Sequence, residues 1–154
     1  MSLFVLALSL ATAAAAPSLS VGPASVRIEQ WPQRQDLNFE IFVDNAGGPA
    51  RELAAIEVSA YDAQGRLVLR RLLDGNGVRP SIQTVPDRVL PAGGKLTVFN
   101  PFPSFAPGLA LAKLHYELRF EGPEGTPPTT ASLDVLPQAQ APTAGEALPL
   151  RGPV

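Results

Sequence analysis

Hydrophobic and polar residues alternate along this chain in short runs. The clearest run is residues 112–122, AKLHYELRFEG, where the large apolar residues all fall on even positions. Such a period of two is typical of a β-strand with one buried face. We therefore predict a strand here, and its inward residues are Leu114, Tyr116, Leu118 and Phe120.

Six further runs show a similar pattern, and most end at a cluster of glycine, proline, asparagine or aspartate that predicts a turn. The arginines in one of them, RLVLRRLL, predict an edge strand that is protected by charge. The proline-rich stretch 78–94 is predicted to be a partly extended edge segment. Seven short strands favour an all-β fold, an immunoglobulin-like antiparallel β-sandwich of about seven strands. The six further strands are predicted at residues 25–31, 37–45, 53–61, 66–73, 95–100 and 130–137.

Composition narrows this picture. The chain has 154 residues, of which 45% are hydrophobic and 17% are charged, so it can form one domain with a real core. It contains no cysteine, which makes the sandwich disulfide-free and excludes a thiolate zinc site. The net charge of −2, with mixed signs, gives no basic patch for nucleic acid.

The N-terminus has the pattern of a targeting segment. A nine-residue apolar run, LFVLALSLA, precedes the small residues ATAAAAP. This pattern predicts a signal peptide over residues 1–16, the alternative being a short buried helix. The run is too short to span a bilayer, so we expect no transmembrane segment after cleavage. The protein is therefore expected to be exported, to the periplasm or the extracellular space.

Three segments are predicted in the mature chain. The sandwich is expected over residues 19–136, and a Pro/Ala-rich linker, PQAQAPTAGEA, follows at 137–147. Residues 148–154, LPLRGPV, return to an apolar pattern. We interpret them as the orphaned start of a further domain or a disordered tail, the alternative being an extra edge strand on the sandwich.

No residue set in the chain predicts catalysis. His115 is the one histidine and falls on the outer face of its predicted strand, without the converging ligands that a metal site needs. The segment DGNG at 74–77 begins like a calcium loop but departs from the pattern at Val78 and Arg79, so it predicts a turn. We expect no enzyme activity, no metal and no cofactor.

Aromatic residues provide the candidate binding site. The segment FNPFPSF at 99–105 places three phenylalanines at intervals of three, between prolines that stiffen the loop. These rings either cap the open end of the sandwich or form an apolar docking surface. Trp31 is predicted to close one end of the core, the alternative being a ring that stacks on sugar. The candidate docking residues are Phe99, Phe102, Phe105 and the outward-facing Phe42.

Two segments of the middle of the chain carry a family resemblance. The hairpin YDAQGRLVLRR (61–71) and the following DGNGVRPSIQTVPDRVLPAGGKLTVFNPF (74–102) resemble the N-terminal Ig-like module of secreted bacterial proteins. In those proteins a lysostaphin-like zinc endopeptidase domain follows, and LPLRGPV resembles its first strand. The resemblance covers residues 19–136. That family's zinc is held by two His and an Asp, with another His in catalysis, so no catalytic residue is carried over to this chain.

The resemblance implies a non-catalytic binding or positioning module of the bacterial cell envelope, with an adjacent peptidase domain or another protein as its partner. The alternative is a stand-alone structural or chaperone-like envelope protein that binds a partner through an edge strand. In either case a monomer is expected.

Overall fold

The computed structural model describes residues 15–77 and 80–139, and it confirms the predicted all-β fold. A single 3-10 turn at Ile82–Thr84 is the one helical element in these two ranges. Seven of the strands have five residues or more. The strands are Ser18–Gly22 (β1), Arg27–Gln30 (β2), Gln35–Asp36 (β3), Glu40–Asp44 (β4), Arg51–Tyr61 (β5), Leu67–Leu73 (β6), Val89–Leu90 (β7), Lys95–Phe99 (β8), Ser104–Phe105 (β9), Lys113–Glu121 (β10), Thr129–Val135 (β11) and Gln138–Ala139 (β12).

These strands form three hydrogen-bonded sheets. One has the order β1-β4-β8, and a larger one has the order β11-β10-β5-β6, with β7 pairing the start of β5. The third contains short strands in the order β12-β2-β3-β9, and only its β12–β2 pair is parallel. The arrangement is that of a β-sandwich, while an immunoglobulin-like connectivity stays a prediction.

The inward faces of the β1-β4-β8 sheet and the larger sheet share one hydrophobic core. On β10, the four residues predicted to face inward are each 0% exposed. The alternation predicted the correct face because a strand's side chains change sides at every residue. The opposing side chains from β4 and β8 are Ile41, Val43, Leu96 and Val98.

Two features of the strands differ from the pattern. β1 was not predicted as a strand, since only Leu19 and Val21 are apolar there and both are half-buried. In β5 a bulge at Ala54 shifts the pairing with β10, so that Leu53 and Ile56 are both fully buried although their spacing is odd.

The hairpin between β5 and β6 is held by Asp62. Its carboxylate accepts hydrogen bonds from the backbone N–H groups of Gln64 and Arg66, both at 2.9 Å. Gly65 has a φ of 76°, the left-handed conformation that this turn requires. The hydrogen bonds from these backbone N–H groups and from the Arg66 side chain hold the pKa of Asp62 below its usual value.

Buried amide side chains fix the loops at the sheet ends. Asn45 donates to the carbonyls of Pro49 at 2.8 Å and Pro91 at 2.9 Å, which joins two turns. Gln35 donates to two carbonyls within residues 106–109, at 2.8 and 2.9 Å. Both side chains are at least 97% buried, and these bonds satisfy donors that would otherwise be costly to bury.

The predicted boundaries of the fold are only partly described. Residues 138 and 139 of the predicted linker pair with β2, and the Gln138 N–H donates to the Val26 carbonyl at 2.9 Å. The predicted signal peptide, apart from residues 15 and 16, and the predicted tail at 148–154 lie outside the described residues. Within the described ranges, no helix has the length and hydrophobicity that a membrane span requires.

Candidate functional site

The outer face of the β1-β4-β8 sheet presents nine residues in three cross-strand rows, and we call it the aromatic face. Strand register aligns the residues, and none of them is buried. Neighbours within a row lie on the same side of the sheet and are in contact distance. The rows are Ser18 with Asp44 and Lys95, Ser20 with Phe42 and Thr97, and Gly22 with Glu40 and Phe99.

Phe42 and Phe99 are the two exposed rings of this face, as their outward positions in the sequence predict. Phe42 is 40% exposed, and its ring lies over Gly22, where an added Cβ would come within 2.5 Å of the ring. Phe99, at the end of edge strand β8, is 70% exposed. The two residues are diagonal neighbours across the β4–β8 pair, a relation in which aromatic side chains lie roughly 7–8 Å apart.

Phe102 and Phe105 do not belong to the predicted docking surface, because they are only 6% and 2% exposed. The ring of Phe102 packs against Tyr116, with 6.5 Å between centroids. Phe105 lies under the guanidinium of Arg71, whose Cζ is 4.8 Å from the ring centroid. For these two residues the alternative reading, a cap on the core, is the correct one.

Asn100 fixes the backbone immediately after Phe99. Its side-chain amide donates to the carbonyls of Leu37 and Phe102 at 3.0 and 3.2 Å. Its Oδ1 accepts the Tyr116 hydroxyl at 2.9 Å and the Phe102 N–H at 3.1 Å. Burial raises the pKa of Tyr116, which keeps the hydroxyl protonated as a donor. The exposed ring of Phe99 is therefore carried by a backbone with little freedom.

A groove runs beside β8. It is lined by residues 84–87 and by residues 97–101 with Pro103, and its volume is about 430 Å³. That volume lies within the usual range of ligand pockets. The groove is mostly apolar, and Asp87 is the one acidic residue of its lining. The groove joins the aromatic face at Phe99, so the two features form one continuous candidate site.

The larger sheet has an outer face of a different character, which we call the charged face. His115 lies there half-buried, with its Nδ1 2.6 Å from Asp134 and its Nε2 3.5 Å from Glu117. Arg70 pairs with Glu57 at 3.2 Å. No group of three or more potential ligands in residues 15–77 and 80–139 is placed to hold a metal ion.

Trp31 does not close the core as predicted, because it is 49% exposed. It begins the tight turn between β2 and β3, where its N–H donates to the Arg34 carbonyl at 2.9 Å. The Arg34 guanidinium lies over the ring, with its Cζ 5.4 Å from the ring centroid. The period of two predicts which side a strand residue faces, but it does not apply in a turn. The direction of the Trp31 side chain therefore depends on the geometry of the turn.

Known proteins show the fold of this chain but not its function. The chain matches no protein-family model and no curated protein. It is similar to an X-ray structure of a Northeast Structural Genomics Consortium target, SoR45, with a TM-score of 0.52 and 13% identity. The match covers 77% of this chain and 84% of that chain. At this identity the similarity concerns the fold alone.

The sequence pattern did not identify the groove. Its lining comes from two segments separated by about ten residues, and neither has a motif that marks it. The signal that could have found it is the combination of a proline-rich segment before β8 and a further proline pair after it, since prolines are confined to sheet edges.

Proposed function

We propose that this chain is a non-catalytic binding module that holds a protein partner on its aromatic face. The observation that carries the proposal is the 70% exposure of Phe99 at the rim of an apolar groove. A single exposed ring is ordinary on a protein surface. A second ring, Phe42, and an adjoining groove make the apolar area continuous, which is the character of a protein interface.

The rigidity of the face supports this function. Phe99 is the last residue of β8, and the next residue is held by the hydrogen bonds of the Asn100 side chain. A side chain on a fixed backbone loses little conformational entropy when it binds, so more of the contact energy contributes to affinity. Aromatic residues placed in this way are frequent anchors of interfaces.

The class of partner comes from the sequence. The resemblance of residues 19–136 to Ig-like modules of secreted bacterial endopeptidases supports a partner in the cell envelope, either an adjacent peptidase domain or a separate cell-wall peptidase. The predicted signal peptide supports export. The one histidine of the chain is paired with Asp134 on the charged face, away from the aromatic face. In this proposal, chemistry belongs to the partner and positioning belongs to this chain.

A photo-cross-linking amino acid at position 99 tests the proposal in the bacterium that encodes the chain. We expect one discrete cross-linked product that mass spectrometry identifies as an envelope peptidase. The same amino acid at position 117, an exposed site on the charged face, is the matched control and should give no such product. An equal pattern from both positions would contradict the proposal, and a non-peptidase envelope protein at position 99 alone would favour the stand-alone alternative.

A further inference from the structure

The edge of β8 that faces away from β4 carries backbone groups without partners. Hydrogen bonds at its two ends join Asn45 to Gly94 and Asn100 to Phe39. In an antiparallel ladder this places the N–H and C=O groups of even-numbered β8 residues toward β4, and those of odd-numbered residues away from it. Among the described residues, these outward N–H groups donate no hydrogen bond and these outward C=O groups accept none. They belong to Lys95, Thr97 and Phe99.

The groove lies directly beside two of these three residues, because Thr97 and Phe99 are part of its lining. A strand added to a sheet lies roughly 4.8 Å from its neighbour and pairs with it through alternate residues. Residues 84–87 also line this groove. The site therefore combines a row of backbone donors and acceptors with a groove beside the same strand.

The edge strand of the larger sheet is protected against pairing with another chain. β6 is the edge strand of the larger sheet, and its Arg71 points inward, where it donates to the Ser104 carbonyl at 2.7 Å and covers Phe105. An inward-pointing charge on an edge strand is a common protection against pairing with another chain. β8 has no such residue, since its inward side chains are Leu96 and Val98.

The charges around β8 favour one kind of segment. The carboxylates of Glu40, beside Phe99, and Asp87, in the groove, have no basic side chain within 4.0 Å in the described part of the chain. At the opposite end of the strand, Lys95 is 3.5 Å from Asp44. A bound segment with a lysine or arginine near Phe99 would thus meet complementary charge.

We propose that β8 accepts an extended polypeptide segment of the partner as an additional strand. The segment has aliphatic residues at alternate positions, which pack on Phe99, and a basic residue directed to Asp87 and Glu40. Polypeptide is the ligand because only a peptide backbone matches donors and acceptors repeated at every second residue. This inference rests on the proposed function and deepens it, since it specifies how the partner binds.

A library of random nonapeptides displayed on phage, panned against the full chain, tests the proposal. We expect enriched sequences with alternate aliphatic residues and one basic residue. The synthetic peptides should slow hydrogen exchange at the amides of Thr97 and Phe99 at least about tenfold, with the amides of β6 unchanged.

Replacing Thr97 with Pro should weaken binding at least about tenfold, because proline removes the outward N–H without breaking a bond to β4. The matched Thr97→Val variant keeps this N–H and should bind normally.

N-methylation of the peptide gives a test that does not depend on the folding of a variant. Methyl groups at every second peptide nitrogen should abolish binding, and methyl groups at the intervening nitrogens should be tolerated, because only one edge of the added strand pairs with β8. Equal tolerance of both sets, protection at other amides, or no enriched peptide would overturn the proposal.

If strand addition fails in these tests but cross-linking from position 99 succeeds, the aromatic face stands as a docking site and strand addition alone fails. If peptides pair with β8 but no cross-link forms, the proposed function fails instead.

Discussion

The two outer faces of this sandwich differ in how their side chains are satisfied. On the charged face, side chains on neighbouring strands pair with one another: Arg70 lies 3.2 Å from Glu57, and the His115 ring lies 2.6 Å from the Asp134 carboxylate. On the aromatic face, Phe99 is 70% exposed and the carboxylate of Glu40 beside it has no basic partner in the described ranges. The aromatic face therefore places a large exposed ring beside a carboxylate that has no basic partner in these ranges.

The two faces are therefore expected to behave differently in solution. Exposed ion pairs add little stability, with a typical value of about 0–1 kcal/mol, but they keep a sheet surface hydrated. An exposed ring beside an unpaired edge strand makes association easier and thus carries a risk of aggregation. Such a surface is expected where a protein has a partner to cover it.

The largest effect should come from β10, where the charged face and the core alternate along one strand. Replacing Tyr116 or Leu118 with Ala should lower the free energy of unfolding by about 2–5 kcal/mol, because both are 0% exposed. Replacing His115 with Ala should change it by no more than about 0.5 kcal/mol. Urea denaturation measures all three. A larger loss for His115 than for Leu118 would mean that the charged face is structural and that the comparison between the faces is wrong.

The next effect concerns the support of the aromatic face. Replacing Asn100 with Ala should cost about 2–3 kcal/mol, because the Leu37 and Phe102 carbonyls and the Tyr116 hydroxyl would lose their partner while buried. Tyr116→Phe is the matched control and should cost about 1 kcal/mol, since it removes a single bond. Thermal unfolding of both variants checks the order. Equal losses would show that the remaining bonds of Asn100 do not stabilise the loop.

The sequence predicts the burial of a side chain better in a strand than in a loop. The alternation in residues 112–122 is enough to predict which β10 residues are buried, because in a strand the period of two decides the side. Phe102 and Phe105 follow β8 in a loop without a period, so their burial depends on distant contacts with Tyr116 and Arg71. Phe42 and Phe99 lie in strands, so the period of two correctly places them outward. The sequence cannot show the groove, because the groove requires two separate segments to lie side by side.

A smaller effect, of opposite sign, is expected at Arg51 in the larger sheet. In contrast to the paired cations of the charged face, this side chain is 3% exposed, and its Nε and Nη2 have no partner among the residues that the structure describes. Burying unpaired donors and a charge is unfavourable. Replacing Arg51 with Met should therefore raise the free energy of unfolding by about 1 kcal/mol in urea denaturation. Arg51→Lys, which keeps the charge, should not be stabilising. A loss of stability with Met would mean that the hydrogen bond from Nη1 to the Pro127 carbonyl, at 3.3 Å, outweighs the cost of burying the guanidinium.

The smallest effect on stability should be at Phe99, and it decides what the comparison means. The ring is mostly in water, so Phe99→Ser removes few contacts and should change the free energy of unfolding by no more than about 0.5 kcal/mol. Glu117→Ser, on the charged face, should have an equally small effect on folding. If the aromatic face exists for binding, the two variants must separate in a binding measurement: Phe99→Ser should lose affinity for a peptide selected on β8, and Glu117→Ser should keep it. A substantial loss of stability for Phe99→Ser would contradict this, because the ring would then be explained by folding and its exposure would need no partner.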